Sequence, residues 1–247
     1  MKRSAVCSVV VDSSRESLVS SAGGLLLART LHCSGLEKAM SAALAPWRAP
    51  RAVHDPAKVL TDMAIAVALG GDCAADVAVV RAQPELFGQG ASDATASRLI
   101  AALADDVDAA LTAIRTARAL ARQRVWRCQR PLPGAGNQVI IDLDATLVTA
   151  HSDKEGATPT FKYGYGFHPM LAFVDHGSHG SGEALAGLLR PGSAGSNSAA
   201  DHISVLDAAL AQLPDHERAQ VLVRTDTGGG GKDFLHHITD LKLQYSV

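Results

Sequence analysis

The sequence predicts an α/β protein in two parts, a helical region followed by a region of short strands and helices, and three features carry that prediction. From Val59 to about Arg130 apolar residues recur at helical spacing in an alanine-rich background. The stretch RPLPGAG at 130–136 then groups two prolines and two glycines, the composition of a linker. Beyond it the apolar residues come in short runs of strand length, bounded by glycine, proline and aspartate.

Residues 1–58 are the least patterned segment, with a β-like run at Ala5–Val11 and a helix expected around Leu25–Leu44, ended by the Pro46 and Pro50 region. Residues 59–130 read as at least three helices, carried by KVLTDMAIAVALGG, DCAADVAVVRAQ and ATASRLIAALADDVDAALTAIRTARALARQ. Within 136–247, strands are expected at Asn137–Leu143, around Met170–Asp175, in GEALAGLLRPG and in VLVRTDTGGGG, with helices at Ala199–Leu213 and Lys232–Leu241. The resulting order, β-β-β-α-β-α, matches the opening of an RNase H-like fold, a three-stranded antiparallel meander continued by α/β units. In that architecture the first and fourth strands lie side by side, so Asp144 and Asp226 are expected to converge.

Composition narrows the function. With 47% hydrophobic residues the chain has the make-up of an ordinary globular protein. Cys7, Cys33, Cys73 and Cys128 are too far apart for a metal knuckle or a disulfide framework, and no segment approaches a membrane span. A cytoplasmic, nucleoid-associated protein is the expectation. Residues 1–130 carry 16 Lys and Arg against 12 Asp and Glu, whereas 131–247 carry 7 against 13, which assigns polyanion contact to the first half and carboxylate chemistry to the second.

In VIIDLDATLV, Asp142 and Asp144 alternate onto one face at the end of an apolar strand. Carboxylates converging at a strand edge bind hard divalent cations, which in pairs stabilise the attacking and leaving oxygens of a phosphodiester. Together DLDAT, FKYGYGFHP, LLRPGSAGSNSAADH and VLVRTDTGGGG resemble the catalytic core of bacterial insertion-sequence transposases of the DDE type, and residues 54–100 resemble that family's amino-terminal part. The resemblance implies metal-dependent cleavage and strand transfer at terminal inverted repeats, Mg2+ or Mn2+ as cofactor, and double-stranded DNA as partner; a homodimer is left open. It implies Asp144 of the D-x-T motif and Asp226 as catalytic metal ligands, with Asp142 as an alternative ligand. The family's third acid, a glutamate, has no candidate before Val247. The chain therefore reads as truncated at its C-terminus, inactive alone, and left with an unpaired sheet edge.

The helical region offers the nucleic-acid contacts. Arg98 lies on the first turns of a helix capped by Ser92 or Asp93, in a helix-turn-helix layout. Arg115, Arg118 and Arg122 share a helix face, and Arg124, Arg127 and Arg130 follow, with no acidic residue from Ala109 to Ile140. Lys162 and His168 in the FKYGYGFHP hairpin are further candidates for DNA contact. Two competing functions remain open. VIIDLDATLV also resembles the first motif of haloacid dehalogenase-like phosphohydrolases, with Asp142 as nucleophile and Asp144 as general acid. A non-catalytic DNA-binding remnant that keeps only the arginine stripe is the other.

Overall fold

A computed structural model of the chain describes residues 21–128, 138–177 and 182–247. The Ala5–Val11 run, the linker at 130–136, Arg130 and the second half of HGSH lie outside the described residues. The chain divides into two compact units after Cys128.

The first unit is helical: α1 Gly24–Ser34, α2 Leu36–Ala43, α3 Pro56–Ala68, α4 Val77–Arg81, α5 Pro84–Phe87, α6 Asp93–Ala104 and α7 Val107–Cys128. The single helix expected over Leu25–Leu44 is two, because Gly35 at φ +77° ends α1 in a left-handed cap and starts α2. Asp55 caps α3 by accepting the Ala57 N–H, with Pro56 at the first helical position. Ser92 caps α6 by accepting the Thr95 N–H, as the sequence predicts. Met40, Leu44, Val59, Leu99, Leu103 and Ala117 form the main core, so α1 and α2 of the segment before residue 59 pack into the same unit as the helices after it.

The second unit holds β1 Val139–Ala145, β2 Val148–Thr149, β3 Thr158–Pro159, β4 Tyr165–Phe167, β5 Met170–Asp175, β6 Glu183–Leu188, α8 Ala199–Leu210, α9 Asp215–Arg218, β7 Val221–Thr225, α10 Lys232–Asp240 and β8 Gln244–Ser246. A five-stranded mixed sheet runs in the order β6-β5-β1-β7-β8, and β2, β4 and β3 form a separate small sheet. β1, β5 and β6 are antiparallel neighbours, whereas β7 runs parallel to β1 and β8 parallel to β7. β7 is followed in the sheet by β8, a short edge strand that the sequence reading missed.

Strand alternation decides which side of this sheet is buried. Ile141, Leu143, Ala172, Val174, Leu185, Val221 and Val223 are almost wholly inaccessible, and they form the face on which α8 packs. Val205, Leu206 and Ala209 of α8 and Phe234 and Ile238 of α10 complete that core. Asp142, Asp144 and Arg224 alternate onto the opposite face. No described helix is long and apolar enough to cross a membrane.

Candidate active site

The site is built on the parallel ladder of β1 and β7. Leu143 stands opposite Thr225, so the residues that follow, Asp144 and Asp226, leave the two strands at the same end. Both are exposed, and the Asp144 carboxylate makes no hydrogen bond or ion pair among the described residues. Asp226 opens a tight turn over Thr227–Gly229, and its Oδ1 accepts the Gly228 N–H at 2.9 Å. Glycine is required next: a Cβ at Gly229 would collide with the Thr225 side chain, and one at Gly228 would sit 2.9 Å from Asp226 Oδ1 and 3.2 Å from the Ser196 carbonyl. The turn therefore folds flat onto the strand end and fixes one oxygen of Asp226.

One rung earlier the chemistry is different. Arg224 Nε donates to Asp142 Oδ1 at 2.5 Å, and Nη2 donates to Asp142 Oδ2 at 2.7 Å and to Asp175 Oδ2 at 2.8 Å. These bonds, first those to Asp142 and then those to Asp175, hold the Arg224 pKa above its ordinary value. The Gly177 N–H, 2.8 Å from Asp175 Oδ1, and after it the Arg224 guanidinium hold the Asp175 carboxyl below the usual carboxylate range. Both Asp142 oxygens accept from Arg224, so its charge is compensated within the protein, unlike that of Asp144. Arg224 and Asp175 were missed by sequence reasoning, although alternation in VLVRT already put Arg224 on the outward face.

A second arginine fixes the loop behind Asp226. Arg190, 4% exposed, donates from Nε to the His168 carbonyl at 2.9 Å and from Nη1 to the Gly195 carbonyl at 3.0 Å and Asp201 Oδ2 at 2.9 Å. His168 Nδ1 lies 2.7 Å from the Ala194 carbonyl. Residues 191–198 are thereby tied down where Ser196 and Asn197 meet Gly228.

The predicted nucleic-acid residues separate into two groups. His168 is 2% and Arg122 6% exposed, so neither side chain is presented to a phosphate: the His168 ring is held at the hairpin base by the Ala194 carbonyl, and Arg122 is buried within the helical unit. Arg115 and Arg118, on the same helix face as Arg122, are half-buried. Arg98, Arg124, Arg127 and Lys162 are exposed; Arg98 donates to Thr95 Oγ1 at 3.1 Å.

A strand-end pair of uncompensated aspartates in a mixed sheet is a donor set for phosphodiester chemistry, and comparison with known families agrees. The family described as Transposase DDE domain group 1 matches residues 2–247. The chain belongs to the DDE transposases. Its family acts on DNA and generally uses divalent metal ions. No curated protein and no solved structure matches the chain. The phosphohydrolase alternative falls away with this membership, with the antiparallel β5 beside β1, and with Asp142 held by Arg224.

The donor set of this transposase fits the family's metal: two exposed carboxylates offer the oxygen ligands that hard cations prefer, with no protein cation between them. Among the described residues no third His, Cys, Asp or Glu gathers with the pair; the one such cluster is Asp72, Cys73 and Asp76. There the Asp76 carboxylate accepts the Cys73 and Asp72 backbone N–H groups at 2.9 Å each, a helix-start cap that lowers its pKa.

Proposed function

We propose that the sheet unit is the RNase H-like catalytic core of an insertion-sequence transposase and that Asp144 and Asp226 hold its divalent cations, Mg2+ or Mn2+. The observation that carries this is the parallel register of β1 on β7, with Leu143 opposite Thr225. The strand order β6-β5-β1-β7-β8, an antiparallel meander extended by parallel strands, supports the fold assignment. When bound, such cations stabilise the attacking and leaving oxygens of a phosphodiester.

The protein's own contribution is to present oxygens. Gly228 N–H engages one oxygen of Asp226; Arg224 pairs with Asp142 and Asp175 and so leaves the uncompensated acids at the strand ends. DNA carrying terminal inverted repeats is the substrate, with Arg98, Arg124, Arg127 and Lys162 as phosphate contacts. With two carboxylates and no third among the described residues, cation binding is weak and cleavage by this chain alone is negligible.

Titration with Mn2+, followed by the electron paramagnetic resonance of the free ion, tests the assignment. Asp144→Asn and Asp226→Asn should each weaken binding by about tenfold or more, equivalent to ~1.4 kcal/mol, while Asp142→Asn leaves it nearly unchanged. Equal affinity in wild type, Asp144→Asn and Asp226→Asn would remove both residues from the site. Cleavage of repeat-bearing DNA by the wild-type chain with Mg2+ would refute its inactivity.

A further inference from the structure

The small sheet that follows Asp144 carries a feature that metal binding does not use. Its β3–β4 hairpin ends in a turn over Thr160–Gly164, closed by three hydrogen bonds. Thr160 N–H donates to the Gly164 carbonyl at 2.9 Å, Gly164 N–H to Thr160 Oγ1 at 3.1 Å, and Tyr163 N–H to the Thr160 carbonyl at 3.1 Å. At its tip Tyr163 adopts φ +60° and is fully exposed, at 102%. A left-handed backbone disfavours any side chain, and an aromatic ring left in water gains nothing from folding. Glycine or asparagine would suit the turn better, so the fold itself gives no reason for tyrosine here.

The tip is organised rather than loose. Phe161 next to it packs its ring 5.6 Å from that of the buried His168, and the Lys162 ammonium lies 5.6 Å from the Phe161 ring centre. The hairpin is also tied to the candidate metal site. β2 begins four residues after Asp144 and pairs with β4; Thr146 N–H donates to the Pro169 carbonyl; and Asp144 stands opposite Leu171 in the β1–β5 ladder. Six residue steps lead from Tyr163 to Pro169, so the Tyr163 backbone stands within roughly 20 Å of Pro169 beside the strand end.

We propose that Tyr163 is a stacking platform for an unpaired or extruded base of the DNA held at Asp144 and Asp226, with Lys162 on a flanking phosphate. The proposal rests on the transposase reading of that site. Its chemistry comes from the tip: an exposed ring offers a face to any base, the neighbouring residue is a cation, and Thr158–Phe167 contains no acid to repel a phosphate. A protein partner would be expected to bury an apolar patch, whereas the ring here stands on a narrow, glycine-flanked turn suited to entering a base stack.

The test uses the full chain and two mixed-sequence duplexes, one fully paired and one with a single unpaired 2-aminopurine. Wild type should bind the second more tightly and quench its fluorescence. Tyr163→Ala should weaken binding to that duplex by about tenfold, within the range for loss of one base stack, and leave the paired duplex unaffected. Tyr163→Phe should retain the stacking, and Lys162→Gln should weaken both duplexes and flatten the salt dependence. Tyr163→Gly, which relieves the backbone, should melt no lower than wild type, so lost binding cannot be ascribed to unfolding. Equal binding of both duplexes by wild type and Tyr163→Ala would overturn the stacking role while leaving the metal site standing. Failure of wild type to bind either duplex would overturn the stacking role, whereas failure of the metal-site reading shows separately, as equal Mn2+ affinity in wild type, Asp144→Asn and Asp226→Asn.

Discussion

Two consecutive rungs of one strand pair have opposite electrostatic fates. At the first, Asp142 faces Arg224 in the β1–β7 register and gives up both carboxylate oxygens to it, with Asp175 joining from β5. At the second, Asp144 and Asp226 share a strand end with no ion pair to either among the described residues. Both aspartates of β1 alternate onto the same outward face, Asp142 half-buried and Asp144 exposed, so the face alone does not distinguish them. Their neighbours' charge does. A carboxylate satisfied within the protein gains little from an external ion, whereas two uncompensated ones are stabilised by a divalent cation through the repulsion it removes.

The largest predicted effect breaks the second rung without touching an aspartate. Arg190→Met strips the His168 and Gly195 carbonyls of a buried donor and leaves Asp201 unpaired, a loss of about 3 kcal/mol in urea unfolding. The loop at 191–198 then no longer backs the Gly228 turn, so Mn2+ affinity falls with it. Unchanged stability would show that Arg190 does not hold this loop. A smaller effect comes from the first rung. Arg224→Met costs on the order of 1 kcal/mol, because the guanidinium is half-exposed and its pairs are partly screened. Its informative readout is metal binding: freeing Asp142 and Asp175 enlarges the acidic set, so Mn2+ binds more tightly than to wild type. Weaker binding would mean that Arg224 supports the site rather than restricting it.

Much of this contrast was legible in the sequence, and the missing part has a physical cause. β1, β5, α8, β7 and α10 were foreseen to within a few residues because each has a clear period and a bounding turn. Asp144 and Asp226 followed from the ends of two of those strands. β8 was not visible: three exposed residues cannot display alternation, and only the backbone of β7 defines them as a strand. The preference for Asp144 over Asp142 came from the D-x-T resemblance; the pairing that sets the two apart was out of reach, since Arg224 is 82 positions from Asp142. In α7 the spacing of Arg115, Arg118 and Arg122 identified a common face correctly but not the direction it looks. The buried Ala110, Ala117 and Ala121 mark one packed side of this helix, and Arg122 is buried as well from a position about a third of a turn away.

The mildest prediction uses acid to separate the rungs. Asp175 titrates below the ordinary carboxylate value because the Gly177 N–H and then Arg224 favour its charged form. A folded pKa below the unfolded one means that the unfolded chain binds more protons in the window between them, so stability falls as pH falls. The Asp175 contribution is therefore complete above the unfolded value of about 4 and is lost as pH drops through the folded value. Asp175→Asn keeps an oxygen for the Gly177 N–H but removes the titration, so its unfolding free energy should decline less steeply than that of wild type below that pH. Arg224→Met should flatten the same limb in part, since it removes the second cause of the shift and spares the first. Parallel acid limbs in wild type and Asp175→Asn would show that this rung is not neutralised through Asp175, leaving Asp142 as the only counter-charge to Arg224.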